Sequence, residues 1–450
     1  MKFDRSAFIK ETRSLLTLGM PLVGSFVAGF LIHMTDTLML GWYSVLSLAA
    51  ATIATSTWFV LYIFGSGFAH AAMPLVAAAE AEGDATTSRR TTRMGLWLSL
   101  GYFALAFPPL WWGEETLLFL GQEPEVAEAG EKYLRIAVFG MAPGLLAQVM
   151  RSYLSGLELT RFLFYVTVIA VGLNALVNYA LIFGNLGAPE LGIEGAAIAS
   201  VLVQLGSFVA FAIYAQIKTK EDNLFQRIWR PDWPAFWHLF KMGVPIGITS
   251  LAESGLFSAS AVMMGWIGAH ELAAHGIALQ ITALMFMFHV GISQAATIRA
   301  GQAFGRHDEP MLRRVGLAAH GISFVFGIFV VLLFVSVPEL LASAFVDPSD
   351  PARDTIIEIG VMLILLAALF QFVDSAQIVA LSLLRGVQDT TIPMWLAALS
   401  YWAIGIPASY VMAFTLGWAE VGLWLGLTVG LAAASLTLGM RFWLGSVRIG

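Results

Sequence analysis

The amino-acid sequence predicts an all-α integral membrane protein with twelve transmembrane helices in two pseudo-symmetric six-helix lobes. Three observations predict this fold class: an apolar composition, twelve separate apolar stretches and a repeat that relates the two halves. Of the 450 residues, 58% are hydrophobic and 12% are charged, and the mean hydropathy is +0.79. Soluble domains carry roughly 25% charged residues, so most of this protein's surface is expected to face lipid. The chain has no cysteine, which excludes disulfides and thiolate metal sites.

Each of the twelve apolar stretches is long enough to cross a bilayer, which takes about 20 residues of helix. Turn-forming or charged segments separate them, and none of these segments is long enough for a soluble domain. The predicted helices cover residues 14–38, 46–72, 93–112, 133–155, 162–184, 193–217, 240–265, 274–298, 315–337, 356–383, 392–414 and 420–444. The predicted domains are a lobe over residues 1–217, a cytoplasmic linker over residues 218–239 and a second lobe over residues 240–450.

The distribution of basic residues predicts that both termini lie in the cytoplasm. With the N-terminus inside, all but three of the 24 lysines and arginines fall on the cytoplasmic side. The exceptions are Lys132, Arg135 and Arg353. Positive residues concentrate in cytoplasmic loops, so this bias supports an even number of spans. The basic N-terminal segment leads into an apolar stretch too long for a signal peptide, and we expect it to be retained.

The two halves of the chain repeat at an offset of 224 residues. The sequence GMP at 19–21 matches GVP at 243–245, and MLGW at 39–42 matches MMGW at 263–266. A slightly larger offset brings SGLELT at 155–160 onto RGVQDT at 385–390. Because each half contains six helices, both halves have the same orientation in the membrane. Parallel repeats of this kind are known among secondary transporters, whose sites lie at the repeat interface.

Three carboxylates are isolated within predicted helices. Asp36 is the only charged residue between Arg13 and Glu80, Glu253 the only one between Lys241 and Glu271, and Asp374 the only one between Glu358 and Arg385. A charge at the bilayer centre costs about 3 kcal/mol or more, so such residues face the bundle interior and titrate or bind a cation. The alternative is that each acid only hydrogen-bonds a neighbouring hydroxyl or amide. We see no basic partner at mid-membrane depth, which favours titration or cation binding.

Other polar residues give weaker signals. Asn174 and Asn178 are four residues apart and share a helix face, so they either join an oxygen-lined network or hydrogen-bond between helices. Gln280 is a similar candidate. His270 and His275 resemble a zinc-binding pair, but they are five residues apart, about 140° around a helix, and we reject a zinc site.

These patterns resemble the multidrug and toxic compound extrusion (MATE) transporters, and in particular the NorM-like bacterial branch. The resemblance rests on MTDTLMLGW at 34–42, SGLELT at 155–160 and LLRGVQDTTIPM at 383–394, and it spans essentially the whole chain. It implies cation-coupling roles for Glu253, Asp374 and Asp36, with Na⁺ held by the first two if coupling is to sodium. It also implies network roles for Asn174 and Asn178. Phe370, where relatives have an aromatic residue at the cation site, lacks the phenolic hydroxyl of a tyrosine.

The resemblance further implies a V-shaped pair of lobes that exports organic cationic drugs or dyes from a bacterial inner membrane by antiport with Na⁺ or H⁺. No cofactor beyond the coupling ion is expected, the partners are the drug, the ion and membrane lipid, and nucleic acid is not expected. A monomer is the default expectation. The sequence has no phosphate-binding loop GxxxxGK[ST] and no nucleophile–base constellation, so we expect neither ATP-driven transport nor an enzyme. The alternative function is a flippase for lipid-linked precursors, which would need basic residues at mid-membrane depth.

Overall fold

A computed structural model of the chain describes residues 4–220 and 223–449. The described part contains helices and no strands. The α-helices are α1 (Arg5–Tyr43), α2 (Val45–Glu82), α3 (Ala85–Trp111), α4 (Gly113–Phe119), α5 (Pro124–Gly156), α6 (Thr160–Phe183), α7 (Ile193–Lys218), α8 (Trp233–Ile267), α9 (Ala269–Gly305), α10 (Glu309–Ser336), α11 (Pro338–Ser343), α12 (Arg353–Gly386), α13 (Thr391–Leu399), α14 (Ile406–Tyr410) and α15 (Ala419–Arg441). Wider π-helical turns cover Ser400–Gly405, Val411–Thr415 and Phe442–Ser446.

The prediction of twelve membrane-spanning helices is confirmed. Among the described residues, twelve helices are long and apolar enough to cross a membrane, with Thr391–Thr415 and Ala419–Ser446 each counted as one span. The helices extend beyond their apolar stretches: α2 was predicted over residues 46–72 and reaches Glu82. Two short helices, α4 and α11, were not predicted, because six or seven residues are too few to show a periodic pattern.

The helices pack into two units. The N-terminal unit is Gly24–Gly247, and the C-terminal unit combines the residues up to Val23 with those from Ile248 onward. Helices α1 and α8 therefore each contribute to both units. The predicted lobe boundaries at residues 217 and 240 follow chain order and stay a prediction, because these units are defined by packing. Both changes of unit, after Val23 and after Gly247, occur at positions related by the repeat offset.

Close contacts at glycines show the same repeat within the packing. A Cβ atom on Gly19 of α1 would lie 2.7 Å from Ile292 Cδ1 of α9. A Cβ atom on the equivalent Gly243 of α8 would lie 2.5 Å from Phe68 Cδ1 of α2. The start of α1 thus packs on α9 within the C-terminal unit, as the start of α8 packs on α2 within the N-terminal unit.

The turns repeat as well. Asp84 caps α3 by accepting a hydrogen bond from the Thr87 amide at 3.0 Å, and its equivalent Asp308 caps α10 by accepting one from the Met311 amide at 2.8 Å. Glu158 and Gln388, in the two matched turns of the sequence, both adopt a left-handed backbone with φ of 62°. Repeated strain at non-glycine residues is stronger support for the repeat than shared apolar composition.

The glycines of α15 let this helix approach its neighbour closely. Gly422, Gly426 and Gly430 lie on one face, and a Cβ atom on each would meet backbone atoms of Met412, Ser409 and Gly405, respectively. Small residues allow such close approach between membrane helices. The glycine stripe is therefore a packing surface within the C-terminal unit.

Gly426→Ala is expected to destabilise the protein, because the new methyl group would overlap the backbone of Ser409. Overpacking of this kind costs about 1–3 kcal/mol. The midpoint of thermal unfolding in detergent measures the effect. The control is Gly439→Ala on the same helix, where a Cβ atom would have no neighbour within 4 Å. Equal midpoints for the two variants would contradict a packing role for the stripe.

The connector between α7 and α8 is fastened to one face of α3. Arg93 donates from Nε to the Leu224 carbonyl at 2.6 Å, and Trp97 donates from Nε1 to the Ile228 carbonyl at 2.8 Å. Arg90 pairs with Asp232, which also accepts a hydrogen bond from the Ala235 amide at the start of α8. This segment, predicted as a linker, is therefore docked on the N-terminal unit over the residues that the structure describes.

The Arg90–Asp232 pair is expected to make stability depend on acidity. The hydrogen bond from Arg90 holds the pKa of Asp232 below its ordinary value. A carboxyl with a lowered pKa stabilises the fold fully above its unfolded value of about 4, and this stabilisation disappears as the pH falls through the folded value. Asp232→Asn should therefore lower the unfolding midpoint at pH 6. The difference from wild type should shrink as the pH falls below about 4 and vanish below the folded pKa of Asp232. Glu339→Gln, at an exposed position, is the control, and a pH-independent difference for Asp232→Asn would contradict the pair's role.

Candidate functional site

Asp36 lies in a hydrogen-bonded cluster within the N-terminal unit. Asn174 and Asn178, one turn apart on α6, both donate from Nδ2 to Asp36 Oδ1, at 3.0 Å and 2.5 Å. Both asparagines are fully buried. The two residues share one face of α6, and that face is directed at Asp36. A carboxylate that receives two amide donors is oriented and partly stabilised in its ionised form.

Two further residues belong to the Asp36 cluster and were not singled out from the sequence. Ser200 of α7 donates from Oγ to Asp36 Oδ2 at 3.4 Å. Tyr133 of α5 is buried, interacts electrostatically with Asp36 and has Ser200 as a side-chain hydrogen-bond partner. A lone serine and a lone tyrosine in apolar helices give no pattern, so only the packing of α5 and α7 against α1 could identify them.

Glu253 and Asp374 come together in the C-terminal unit. Glu253 lies on α8 and Asp374 on α12, and their carboxylates are close enough to interact electrostatically. Asp374 is only 3% exposed, whereas Glu253 is half-buried. Two like charges in a buried site cannot both stay ionised without compensation, so the pair favours uptake of a proton or a cation.

Arg385, in the last turn of α12, lies near the acids of the C-terminal unit. Its guanidinium interacts electrostatically with Glu253 and with Tyr401. Its Nε is buried and makes no hydrogen bond within the described structure. Arg385 ends an apolar stretch of the sequence, and the fold brings it within electrostatic range of Glu253.

The Phe370 side chain is packed among other aromatic rings. It is buried at 1% exposure and packs edge-on against Phe257 and Trp424, with ring centroids at 6.2 Å and 5.6 Å. A tyrosine is nevertheless present nearby: Tyr401, in the π-helical turn after α13, interacts electrostatically with Glu253 and Asp374. π-Helical turns occur frequently at functional sites.

Gln280 and the two histidines of the rejected zinc motif differ in their exposure and partners. Gln280 is exposed on α9. His275 is buried, accepts a hydrogen bond from Trp424 Nε1 at 3.0 Å and lies 3.4 Å from Ser260 Oγ, while His270 is exposed. Within residues 4–220 and 223–449, no three histidine or acidic side chains form a metal-binding group.

The chain is similar to known membrane transporters over nearly its whole length. Residues 21–180 and 245–411 match the family model described as MatE. The chain is 44% identical over 432 residues to the "Probable multidrug resistance protein NorM" of Rhizobium meliloti (strain 1021), covering 96% of this chain and 92% of that protein. It is 42% identical to the protein of the same name from Agrobacterium fabrum (strain C58), covering 97% and 94% of the two chains. The crystal structure of the eukaryotic MATE transporter AtDTX14 superposes with a TM-score of 0.86 at 18% identity, covering 98% of this chain and 97% of that one.

Proposed function

This chain belongs to the MatE family, and from that premise we propose that it is a multidrug efflux transporter that exports organic cations in exchange for Na⁺ or H⁺. The relatives named as probable multidrug resistance proteins support the drug-efflux part of this proposal. The chain is a multi-pass membrane protein. We place it in a bacterial inner membrane with both termini in the cytoplasm, because the basic residues concentrate on one side.

The observation that carries the proposal is the burial of acidic side chains in membrane-spanning helices at two separate places. Asp36 lies among amide and hydroxyl donors on α6 and α7. Glu253 and Asp374 lie together between α8 and α12, with Arg385 nearby. Each place can bind positive charge. Intramembrane acids of this kind typically mark ion pathways and proton relays in transporters.

The proposed exchange is a competition for negative charge. A cation at Glu253 and Asp374, or a proton at Asp36, neutralises charge that otherwise helps to hold a cationic drug. The ion and the drug therefore favour different states, and the transporter alternates between them as its lobes open to one side or the other. A ligand shifts such an equilibrium only by its differential affinity for the two states. The energy comes from the ion gradient, and no chemical reaction is involved.

The test is efflux of a fluorescent organic cation from proteoliposomes, driven separately by a Na⁺ gradient and by a H⁺ gradient. We expect efflux above that of empty liposomes under at least one gradient, and collapse of that gradient with an ionophore should abolish it. Absence of efflux under both gradients would contradict the proposal. Movement of a lipid-linked anionic precursor in the same vesicles would then favour the flippase alternative.

A further inference from the structure

We propose that Arg151 of α5 is an anion-binding group in the N-terminal unit, and that it receives the carboxylate of an aromatic organic substrate. This inference rests on the proposed function and deepens it, because it extends the substrates from simple organic cations to cations that also carry a carboxylate. The group is basic, unlike the three buried acids on which the proposed function depends.

Arg151 places a permanent positive charge inside a membrane-spanning helix. It lies within α5, which ends at Gly156. Its side chain is half-buried, and its Nη2 amino group is enclosed by protein. A guanidinium stays protonated in proteins, so Arg151 cannot avoid its charge by losing a proton. An ionisable residue within a membrane helix is rare and marks a candidate functional site.

The described structure offers Arg151 no negative partner. The buried Nη2 has no hydrogen-bond acceptor among the described residues. The groups that interact with the guanidinium are the Phe26 ring of α1, whose centroid lies 5.0 Å from Arg151 Cζ, and Tyr62 of α2. A phenylalanine ring has no charge, and a tyrosine is neutral near pH 7. Because a buried charge is normally paired, an anion from outside the chain would complete this position.

The surroundings of the guanidinium suit an aromatic carboxylate. The cation–π contact with Phe26 leaves the N–H groups of Arg151 without an oxygen acceptor. These N–H groups form a planar fork that matches the two oxygens of a carboxylate. Tyr62 stacks on Trp58 with ring centroids 4.8 Å apart, so aromatic rings are present beside the charge. A carboxylate on an aromatic body can therefore pair with the guanidinium and pack against the rings.

The second half of the chain shows that this backbone plan does not require a basic residue here. At the offset that matches the turns at 155–160 and 385–390, Arg151 corresponds to Leu381 of α12. Leu381 is buried, with 2% of its surface exposed. An apolar side chain thus fills the equivalent position, and a hydrophobic replacement of a buried charge is often neutral or stabilising. Packing alone therefore does not account for the arginine.

The test is binding of two fluorescent probes to the purified full-length protein in detergent, measured by fluorescence anisotropy. The probes are a styrylpyridinium dye with an N-carboxypropyl chain and the methyl ester of the same dye. They share one cationic aromatic body, and only the acid carries a carboxylate at neutral pH. We expect wild type to prefer the acid, and Arg151→Leu to lower the acid-to-ester affinity ratio about tenfold, equivalent to about 1.4 kcal/mol.

The matched control is Arg161→Leu in α6 of the same unit, which removes a positive charge from an exposed position. Its affinity ratio should equal that of wild type. The unfolding midpoint of Arg151→Leu should equal or exceed that of wild type, because the variant removes an unpaired buried charge. A lower midpoint together with an unchanged affinity ratio would assign Arg151 a structural role and overturn the inference.

Two further measurements keep the inference testable if Arg151→Leu does not fold. Arg151→Lys keeps the charge but loses the planar fork, so its affinity ratio should lie below that of wild type and remain in favour of the acid. In wild type, benzoate should displace the acid probe, whereas benzamide, a neutral molecule of similar shape, should not at the same ionic strength. Equal displacement by benzoate and benzamide would overturn the inference.

The outcomes separate this inference from the proposed function. An unchanged affinity ratio in folded Arg151→Leu would overturn the carboxylate site, while ion-driven efflux of the ester probe would still support the proposed function. Co-purified phosphatidylglycerol that is lost from Arg151→Leu, again with an unchanged ratio, would assign the guanidinium to a lipid phosphate and overturn the carboxylate site. Absence of efflux of both probes under both gradients would contradict the proposed function itself.

Discussion

Asp374→Asn is expected to reduce ion-driven efflux to the level of empty liposomes. The amide has nearly the same shape as the carboxyl group, so the fold should be retained, but it neither ionises nor takes up a proton. Asp374 would then no longer attract a cation or repel Glu253, and ion binding would lose its connection to drug release. Initial rates of dye efflux from proteoliposomes under Na⁺ and H⁺ gradients measure the effect. Glu253→Gln is expected to give the same loss.

The matched control for Asp374→Asn is Ser375→Ala, the next residue on α12. Ser375 is equally buried, but its hydroxyl bonds to the Phe372 carbonyl of its own helix. Its removal should leave the efflux rate close to that of wild type. Efflux by Asp374→Asn at the wild-type rate under either gradient would show that the C-terminal pair does not couple that ion.

Asp36→Asn is expected to abolish efflux driven by a H⁺ gradient. Asn174, Asn178 and Ser200 all present donors to Asp36. An amide at position 36 accepts through one oxygen only, so at least one of these donors would face an NH₂ group. The variant would lose both the negative charge that attracts a proton or a drug cation and part of the cluster's hydrogen bonding. Efflux under separate Na⁺ and H⁺ gradients gives the measurement.

The control for Asp36→Asn is Thr37→Val, because the Thr37 hydroxyl bonds to the His33 carbonyl within α1 and takes no part in the cluster. Thr37→Val should transport like wild type. If Asp36→Asn retains full H⁺-driven efflux, the proton is carried elsewhere. Loss of efflux under both gradients would instead indicate that Asp36 holds the drug, which both modes of coupling require.

The two halves have diverged in their chemistry although they share a backbone plan. The position equivalent to Asp36 in the second half is Ser260, which is buried. Its hydroxyl lies beside the ring of His275, and His275 in turn accepts a hydrogen bond from Trp424. Both halves therefore place a polar group at this point of the helix pair, and only the first half makes it acidic. The buried acids are therefore not symmetry copies of one another.

Sequence reasoning identified the acids because burial of a charge is costly in any fold. It did not identify the side chains that contact those acids, because these come from other helices. Asn174 and Asn178 are four residues apart, which indicated that they share a helix face. The spacing did not show which residue that face contacts. Ser200 and Tyr401 carried no pattern at all, since single polar residues in apolar helices are common. Arg385 gave no signal of its own, and only the folded structure shows that it interacts electrostatically with Glu253.

The sequence by itself determined the twelve helices, the two repeated halves and the three isolated acids. The helices follow from local composition, the halves from a repeat along the chain, and the acids from the cost of charge in lipid. Only the tertiary structure decided which side chains surround those acids and which parts of α1 and α8 pack in each unit. It also decided that Phe370 is a core residue. The physical reason is that helix periodicity fixes the face on which a residue lies, whereas the neighbour of that face depends on how helices far apart in sequence pack together.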